Sequence, residues 1–204
     1  MTKTEALTKG ERTRQAVLDA AHQLFVEQGF AATSMRQIAE KAGLALGGIY
    51  NHFPTKESIF SEVIVAYHPF HQVLPLLKNA PGDTFEDFVR NAAKSMVAEL
   101  GRRPDFIKLM FVELVEFEGK NMPTMLQTVF PQVLPLVQRF SDRQDELRGL
   151  PLFTLFRSFL GLFFSYYMTE FLLVNMPASL SPKGSLDDFV DIYLHGVLAP
   201  KDVI

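Results

Sequence analysis

Apolar residues recur along this chain at intervals of three and four, the spacing of one face of an α-helix. Val17, Ala20, Ala21, Leu24 and Phe25 form the first such stripe, which predicts a helix stopped by Gly29 in a left-handed cap. Ser34 and Gln37 have capping-box spacing and predict a short helix that ends at Gly43. A third short segment, Ala45 to Phe53, follows. Pro54-Thr55 then opens a longer helix carrying Ile59, Phe60, Val63, Ile64 and Tyr67, which Pro69 should interrupt and Pro75 should end. Pro81-Gly82 is the clearest break in the middle of the chain. After it, Asp83 and Glu86 have capping-box spacing for a helix striped by Phe85, Phe88, Val89, Ala92, Ala93 and Met96 and closed by Gly101.

Further helices are expected from Pro104 to about Glu118, and from Met122 to Ser141 with bends at Pro131 and Pro135. Another runs from Pro151 to about Asn175, and the last from Asp187 to Leu198, ended by Pro200. No stretch alternates strictly over two residues, and no Asn-Gly or Asp-Gly hairpin signal occurs. The pattern predicts an all-α chain of roughly nine helices in two blocks, with residues 1–56 as a head and 57–204 as a helical body.

Three residues in the head have a particular spacing. Ala39 is small enough for close helix packing, Gly43 tolerates a positive φ in a tight turn, and Ile49 supplies an inward apolar anchor. Taken alone, they fit a helix-turn-helix or an ordinary helical hairpin with a glycine turn. The wider stretch Gly29–Phe60, GFAATSMRQIAEKAGLALGGIYNHFPTKESIF, resembles the DNA-binding domain of TetR-family transcriptional regulators. The family pattern is met at Gly29, Phe30, Thr33, Ser34, Ile38, Ala39, Ala42, Gly43, Leu44, Gly47, Ile49, Tyr50, His52, Phe53, Lys56 and Ile59. That match covers about one-sixth of the chain.

The resemblance implies that the helix around Leu46–Asn51 enters the major groove of a double-stranded operator. Base-reading positions would then be Arg36, Leu46, Gly47, Gly48 and Asn51. Leu46 has a side chain suited to a thymine methyl, and Arg36 to guanine. Thr33, Ser34, Tyr50, His52 and Lys56 would hold phosphates. Two departures stand out. Ala45 cannot cap the recognition helix as the family's usual Ser or polar residue does. Gly47 and Gly48 are adjacent and leave that helix few side chains with which to read bases.

Charge adds a modest signal. The formal net charge is −3, which excludes a uniformly basic nucleic-acid coat protein. Residues 1–56 hold 7 Lys+Arg against 5 Asp+Glu, and the remainder 13 against 18, so a slightly basic head sits on an acidic body. There are 0 cysteines, which removes disulfides, thiolate metal sites and cysteine nucleophiles. The residues at the start are polar, with no signal-peptide core. The greasiest segment spans only 12 uncharged residues between Arg157 and Glu170, against roughly 20 for a bilayer span. A cytoplasmic protein without a membrane partner is expected.

The body holds 16 of the 19 Phe. Most individual Phe should be core, but the resemblance implies a ligand cavity, which such residues would make suited to a small hydrophobic effector. Candidate pocket residues are His68, Phe106, Met110, Glu113, Phe117, Phe163, Tyr166 and Tyr167. Glu113 sits on the apolar stripe of its helix, so it is either a pocket acceptor or a rim charge, and the rarity of fully buried Glu favours the rim. His68 and His71 could pair on a metal, but Pro69 disturbs the geometry between them and no third ligand lies nearby, so neither a metal nor a cofactor is expected.

In TetR-like proteins the last two helices form the homodimer interface. Here Ser158, Gly161, Ser165, Phe189, Tyr193 and Val197 are the candidates. A nucleophile elbow, a phosphate-binding glycine loop and a metal-ligand set are all missing from the sequence, which disfavours an enzyme. The expected function is a ligand-responsive repressor. A regulator controlled by a protein partner, and an activator, are the alternatives.

Overall fold

A computed structural model describes residues 8–173, 177 and 185–198. Among these residues the chain is all-helical. The elements are α1 (Lys9–Gln28), α2 (Met35–Lys41), α3 (Leu46–Tyr50), α4 (Lys56–Ala66), α5 (Phe70–Asn79), α6 (Phe85–Gly101), α7 (Pro104–Glu116), α8 (Met122–Ser141), α9 (Leu152–Leu173) and α10 (Leu186–Val197). A 3-10 turn occupies Gln144–Glu146, and a single antiparallel bridge joins Leu147 to Leu198. The expected helix end at Asn175 and the stop at Pro200 lie outside the described residues.

Local chemistry sets five of the ten α-helix starts among the described residues. Thr8 with Glu11, Ser34 with Gln37, Thr55 with Ser58, Thr84 with Asp87, and Ser185 with Asp188 all form reciprocal capping boxes. The box opening α6 therefore lies one residue later than the Asp83–Glu86 spacing suggests. The Thr84 hydroxyl accepts the Asp87 N–H at 3.1 Å, and the Asp87 carboxylate accepts the Thr84 hydroxyl at 2.7 Å.

Prolines are less disruptive than their positions imply. Pro75 sits inside α5 instead of ending it, and Pro131 and Pro135 sit inside the single helix α8. Each removes a backbone donor from its helix. Val73 and Leu77 on either side of Pro75, and Leu136 and Phe140 after Pro135, are buried and hold those turns in place.

The chain packs as two compact units. One comprises Met1–His68 with Pro104–Thr128; the other comprises Pro69–Arg103 with Val129–Ile204. Packing thus groups residues differently from the expected division at 56/57, because α4 and α7 belong to the core of the first unit. There Phe25, Phe30, Phe60 and Phe117 form a ring cluster with centroids 4.5–5.6 Å apart. Each such pair contributes about 0.5–1.5 kcal/mol beyond its area burial.

The second unit is built on Phe85, Phe88, Phe140, Phe159 and Phe163, joined by Val190, Tyr193, Leu194 and Val197 of α10. Its α5–α6 loop is held by two guanidinium groups, Arg139 in the last turn of α8 and Arg143 two residues past its end. Arg139 Nη1 donates to the carbonyls of Lys78 and Ala80 at 3.0 and 2.9 Å, with its guanidinium 4.2 Å from the Phe88 ring centroid. Arg143 donates to the carbonyls of Asp83 and Gly82 at 2.7 and 3.0 Å.

Candidate nucleic-acid interface

In the first unit α2 and α3 meet at a tight turn. Ile38, Ala39 and Ile49 are buried where the helices meet, so the three-residue spacing does the packing expected of it. Gly43 has φ +69°, a left-handed conformation that a residue with a Cβ would strain. The Gly43 N–H donates to the Glu40 carbonyl at 3.1 Å and the Leu44 N–H to the Ala39 carbonyl at 2.9 Å, closing the end of α2. As its side chain dictates, Ala45 makes no capping bond at the start of α3.

The candidate DNA-contacting residues separate into two groups. Arg36, Ser34, Gly47 and Asn51 are exposed, as are Leu46 at 42% and Tyr50 at 51%. Gly48 and His52 are half-buried. Thr33 and Lys56 are placed otherwise. Thr33 is only 2% exposed; its hydroxyl donates to the Gly29 carbonyl at 2.8 Å and accepts from Gln28 Nε2 at 3.2 Å. The hydroxyl is buried and engaged with these two protein groups.

Lys56 Nζ donates to the carbonyls of Phe30 and Thr33, both at 2.6 Å, and lies 4.1 Å from the Phe30 ring centroid. The start of α4 is thereby fastened to the α1–α2 turn. Charge-assisted bonds of this kind contribute about 1.5–3 kcal/mol each.

Arg14 makes a comparable link that sequence reasoning missed. It pairs with Glu62, donates to the His52 carbonyl at 3.2 Å and stacks over Phe53 at 4.4 Å. Nothing local in the sequence marks it, because its partners lie 38 and 48 residues away. Lys41 pairs with Glu27 at 3.4 Å. Three of the head's cations are therefore engaged with protein groups, while Lys9, Arg12 and Arg36 are exposed.

At the α1–α4 contact, His22 stacks on Tyr67 with centroids 4.0 Å apart. The Tyr67 hydroxyl donates to Asp19, and Gln15 Nε2 bonds Asp19 at 2.8 Å. Burial lowers the His22 pKa against the opposing pull of Asp105 and Asp19. Burial and the Asp19 partner push Tyr67 up.

The candidate pocket residues fall in different units. His68, Phe106, Met110, Glu113 and Phe117 belong to the first, and Phe163, Tyr166 and Tyr167 to the second. His68 meets Phe106 edge-on at 4.6 Å. Phe117 stacks on Phe60 at 4.5 Å, and both it and Phe163 are core side chains. Glu113 is not a rim charge. It is 0% exposed, and its two oxygens accept from the Asn121 backbone N–H and side-chain amide. Tyr167 donates its hydroxyl to the Leu100 carbonyl at 2.6 Å, and Tyr166 packs edge-on against Phe189 at 5.3 Å.

Of the candidate interface residues, Ser158, Gly161 and Ser165 are exposed along α9. Tyr193 and Val197 face the interior of their own unit instead. The Tyr193 hydroxyl donates to the Leu155 carbonyl at 3.1 Å, whereas neighbouring Ile192 is 74% exposed. The apolar stripe of α10 is thus taken up by its own core. Among the described residues no helix is long and apolar enough to cross a membrane.

Residues 17–63 match the family model described as bacterial regulatory proteins, tetR family. The HTH-type transcriptional regulator YvkB of Bacillus subtilis is 32% identical over 52% of this chain and 54% of its own length. Another HTH-type regulator of that organism, YdgC, is 30% identical over 95% of this chain and 96% of its own. The crystal structure of a TetR family transcription regulator from Marinobacter aquaeolei VT8 superposes with a TM-score of 0.58 at 18% identity, covering 93% of this chain and 97% of that one. That last likeness is one of fold alone. The family match over the helix-turn-helix and the nearly full-length relative together establish that this chain belongs to the TetR family of HTH-type transcriptional regulators.

Proposed function

We propose that this regulator acts as a homodimeric repressor, released from a palindromic operator when a small lipophilic effector binds among the aromatic side chains downstream of residue 56. The observation that carries the reading is the outward face of α2 and α3. Arg36, Leu46, Tyr50 and Asn51 are exposed there on a scaffold fixed by buried Ile38, Ala39 and Ile49. Helix-turn-helix proteins place such a second helix in the major groove, and a two-fold dimer matches half-sites about 34–36 Å apart. The exposed stripe of Ser158, Gly161 and Ser165 on α9 supports a close approach between two copies. Effector response requires only that the effector prefer a state unfit for the operator. Coupling of about 1–3 kcal/mol lowers DNA affinity about 5- to 150-fold. Through α4, which runs on from the head towards Tyr67, such a change reaches α3.

Light scattering should give twice the monomer mass. Anisotropy titration against DNA upstream of its own coding sequence should show saturable binding, reversed by at least one compound from a panel of lipophilic cations and fatty acids. Binding that no compound in such a panel reverses counts against the effector reading. Control by a protein partner is the second reading. It is favoured by Phe130 and Leu134, one turn apart on α8 and both largely exposed, an apolar pair that a partner surface could cover.

A further inference from the structure

The recognition helix has a chemical character of its own. Leu46 and Tyr50 stand at i and i+4 on α3 and therefore share a face, and both are exposed. Ala45, at the amino end, is exposed and carries no polar side-chain atom. At Gly47 and Gly48 a Cβ would meet nothing within 4 Å. Hydrogen-bonding side chains appear only at the carboxyl end, in the Tyr50 hydroxyl and the Asn51 amide. The leading half of the helix, the part that reaches base edges in a helix-turn-helix complex, presents methyl groups and bare backbone.

From this face we infer that α3 selects operators by the C5-methyl groups of pyrimidines in the major groove. The inference rests on the reading of α3 as the helix that enters the groove. A base pair shows the groove a pattern of donors and acceptors and, in thymine, a C5-methyl. Leu46 can bond none of those donors or acceptors, and polar edges covered by its isopropyl group lose water without a replacement partner. A methyl group gains from the same contact, by about fourfold in affinity per group buried. The missing side chain at Gly47 lets the helix backbone come close enough to make the contact. Thymine and 5-methylcytosine carry the same methyl at the same position, so both satisfy the face.

The test begins with duplexes selected from a random pool by the purified full chain. Each thymine of a selected half-site is replaced in turn by uracil, and separately by cytosine or 5-methylcytosine. At one or more positions uracil should weaken binding about fourfold, and 5-methylcytosine should recover part of what cytosine loses. Leu46→Ala should bind thymine and uracil duplexes alike at those positions. Gly47→Ala adds only a methyl to open space, so its Tm should hold or rise while DNA affinity falls about tenfold from the clash with the groove. Equal binding of thymine and uracil duplexes by the wild-type chain at every position overturns the inference while leaving α3 as the reading helix. If Leu46→Ala, Gly47→Ala and Tyr50→Ala all bind selected duplexes as the wild type does, the reading of α3 falls instead.

Discussion

Glu113 grips Asn121 at both ends, with one carboxylate oxygen 2.7 Å from its backbone N–H and the other 2.7 Å from its side-chain nitrogen. The Gly119 N–H donates to the Glu113 carbonyl at 3.1 Å, so one residue closes the α7–α8 turn through both its backbone and its side chain. Glu113→Gln keeps the shape but turns one acceptor into a donor facing a donor. Chemical denaturation should show a loss of about 1–3 kcal/mol, with Glu113→Ala at least as damaging. A Gln variant as stable as the wild type would mean that the carboxylate is not needed to close the turn.

Lys56 offers a test that separates positioning from phosphate contact. Its amine sits on two carbonyls of the α1–α2 turn. Lys56→Ala should therefore lower stability by at least about 1.5–3 kcal/mol and weaken DNA binding while the slope of log K against log salt stays unchanged. If the slope instead falls by about one unit and stability holds, the amine belongs to a phosphate.

Protonation of His22 gives a pH dependence whose direction follows from its burial. The neutral ring is favoured in the folded chain, so its pKa there lies below the unfolded value. The unfolded state binds the extra proton first. Stability should thus fall as pH drops through about 6.5 and level off once the folded pKa is passed. His22→Phe keeps the stacking on Tyr67 and should remove this part of the acid sensitivity. A denaturation midpoint with the same pH profile in both proteins would show that His22 does not contribute to it.

Gly82 is the opposite of Gly47. Its φ is +154°, and a Cβ there would lie 2.4 Å from the backbone nitrogen of Phe88, an atom that cannot move without disturbing the first turn of α6. Gly82→Ala should destabilise the chain by about 1–3 kcal/mol, read as a lower thermal midpoint. A midpoint equal to that of the wild type would show that the loop relaxes freely.

The sequence made the helices legible because their starts carry side-chain caps and their stripes are long. Ser34 and Gln37 form the capping box that their spacing suggests. Ala39, Gly43 and Ile49 narrow the turn to a helical hairpin or a helix-turn-helix because packing there is local, and the wider Gly29–Phe60 pattern separates the two. Direction was harder to read. Thr33 and Lys56 match the family pattern, and their polar atoms bond carbonyls of the α1–α2 turn, acceptors that draw on the same donors as a phosphate would. Tyr193 and Val197 lie on an apolar stripe, and a stripe does not say whether it meets its own core or another copy. Glu113 looked like a rim charge because its partner, Asn121, lies past the end of the helix that carries it.

The guanidinium groups of Arg139 and Arg143 also bear on how the second unit comes apart. The bonds from Arg139 and Arg143 to the α5–α6 loop join residues 59–62 positions apart, whereas α5 and α6 are neighbours in the chain. Closing a long loop costs more entropy than pairing adjacent helices, so these bonds are expected to form after hairpins made of adjacent helices. Bonds absent from the folding transition state govern how fast a protein comes apart and leave the speed of assembly unchanged. Arg139 and Arg143 are thus expected to act as a latch on unfolding: their loss should shorten the lifetime of the folded second unit more than it slows formation, as the two arms of a chevron plot would read.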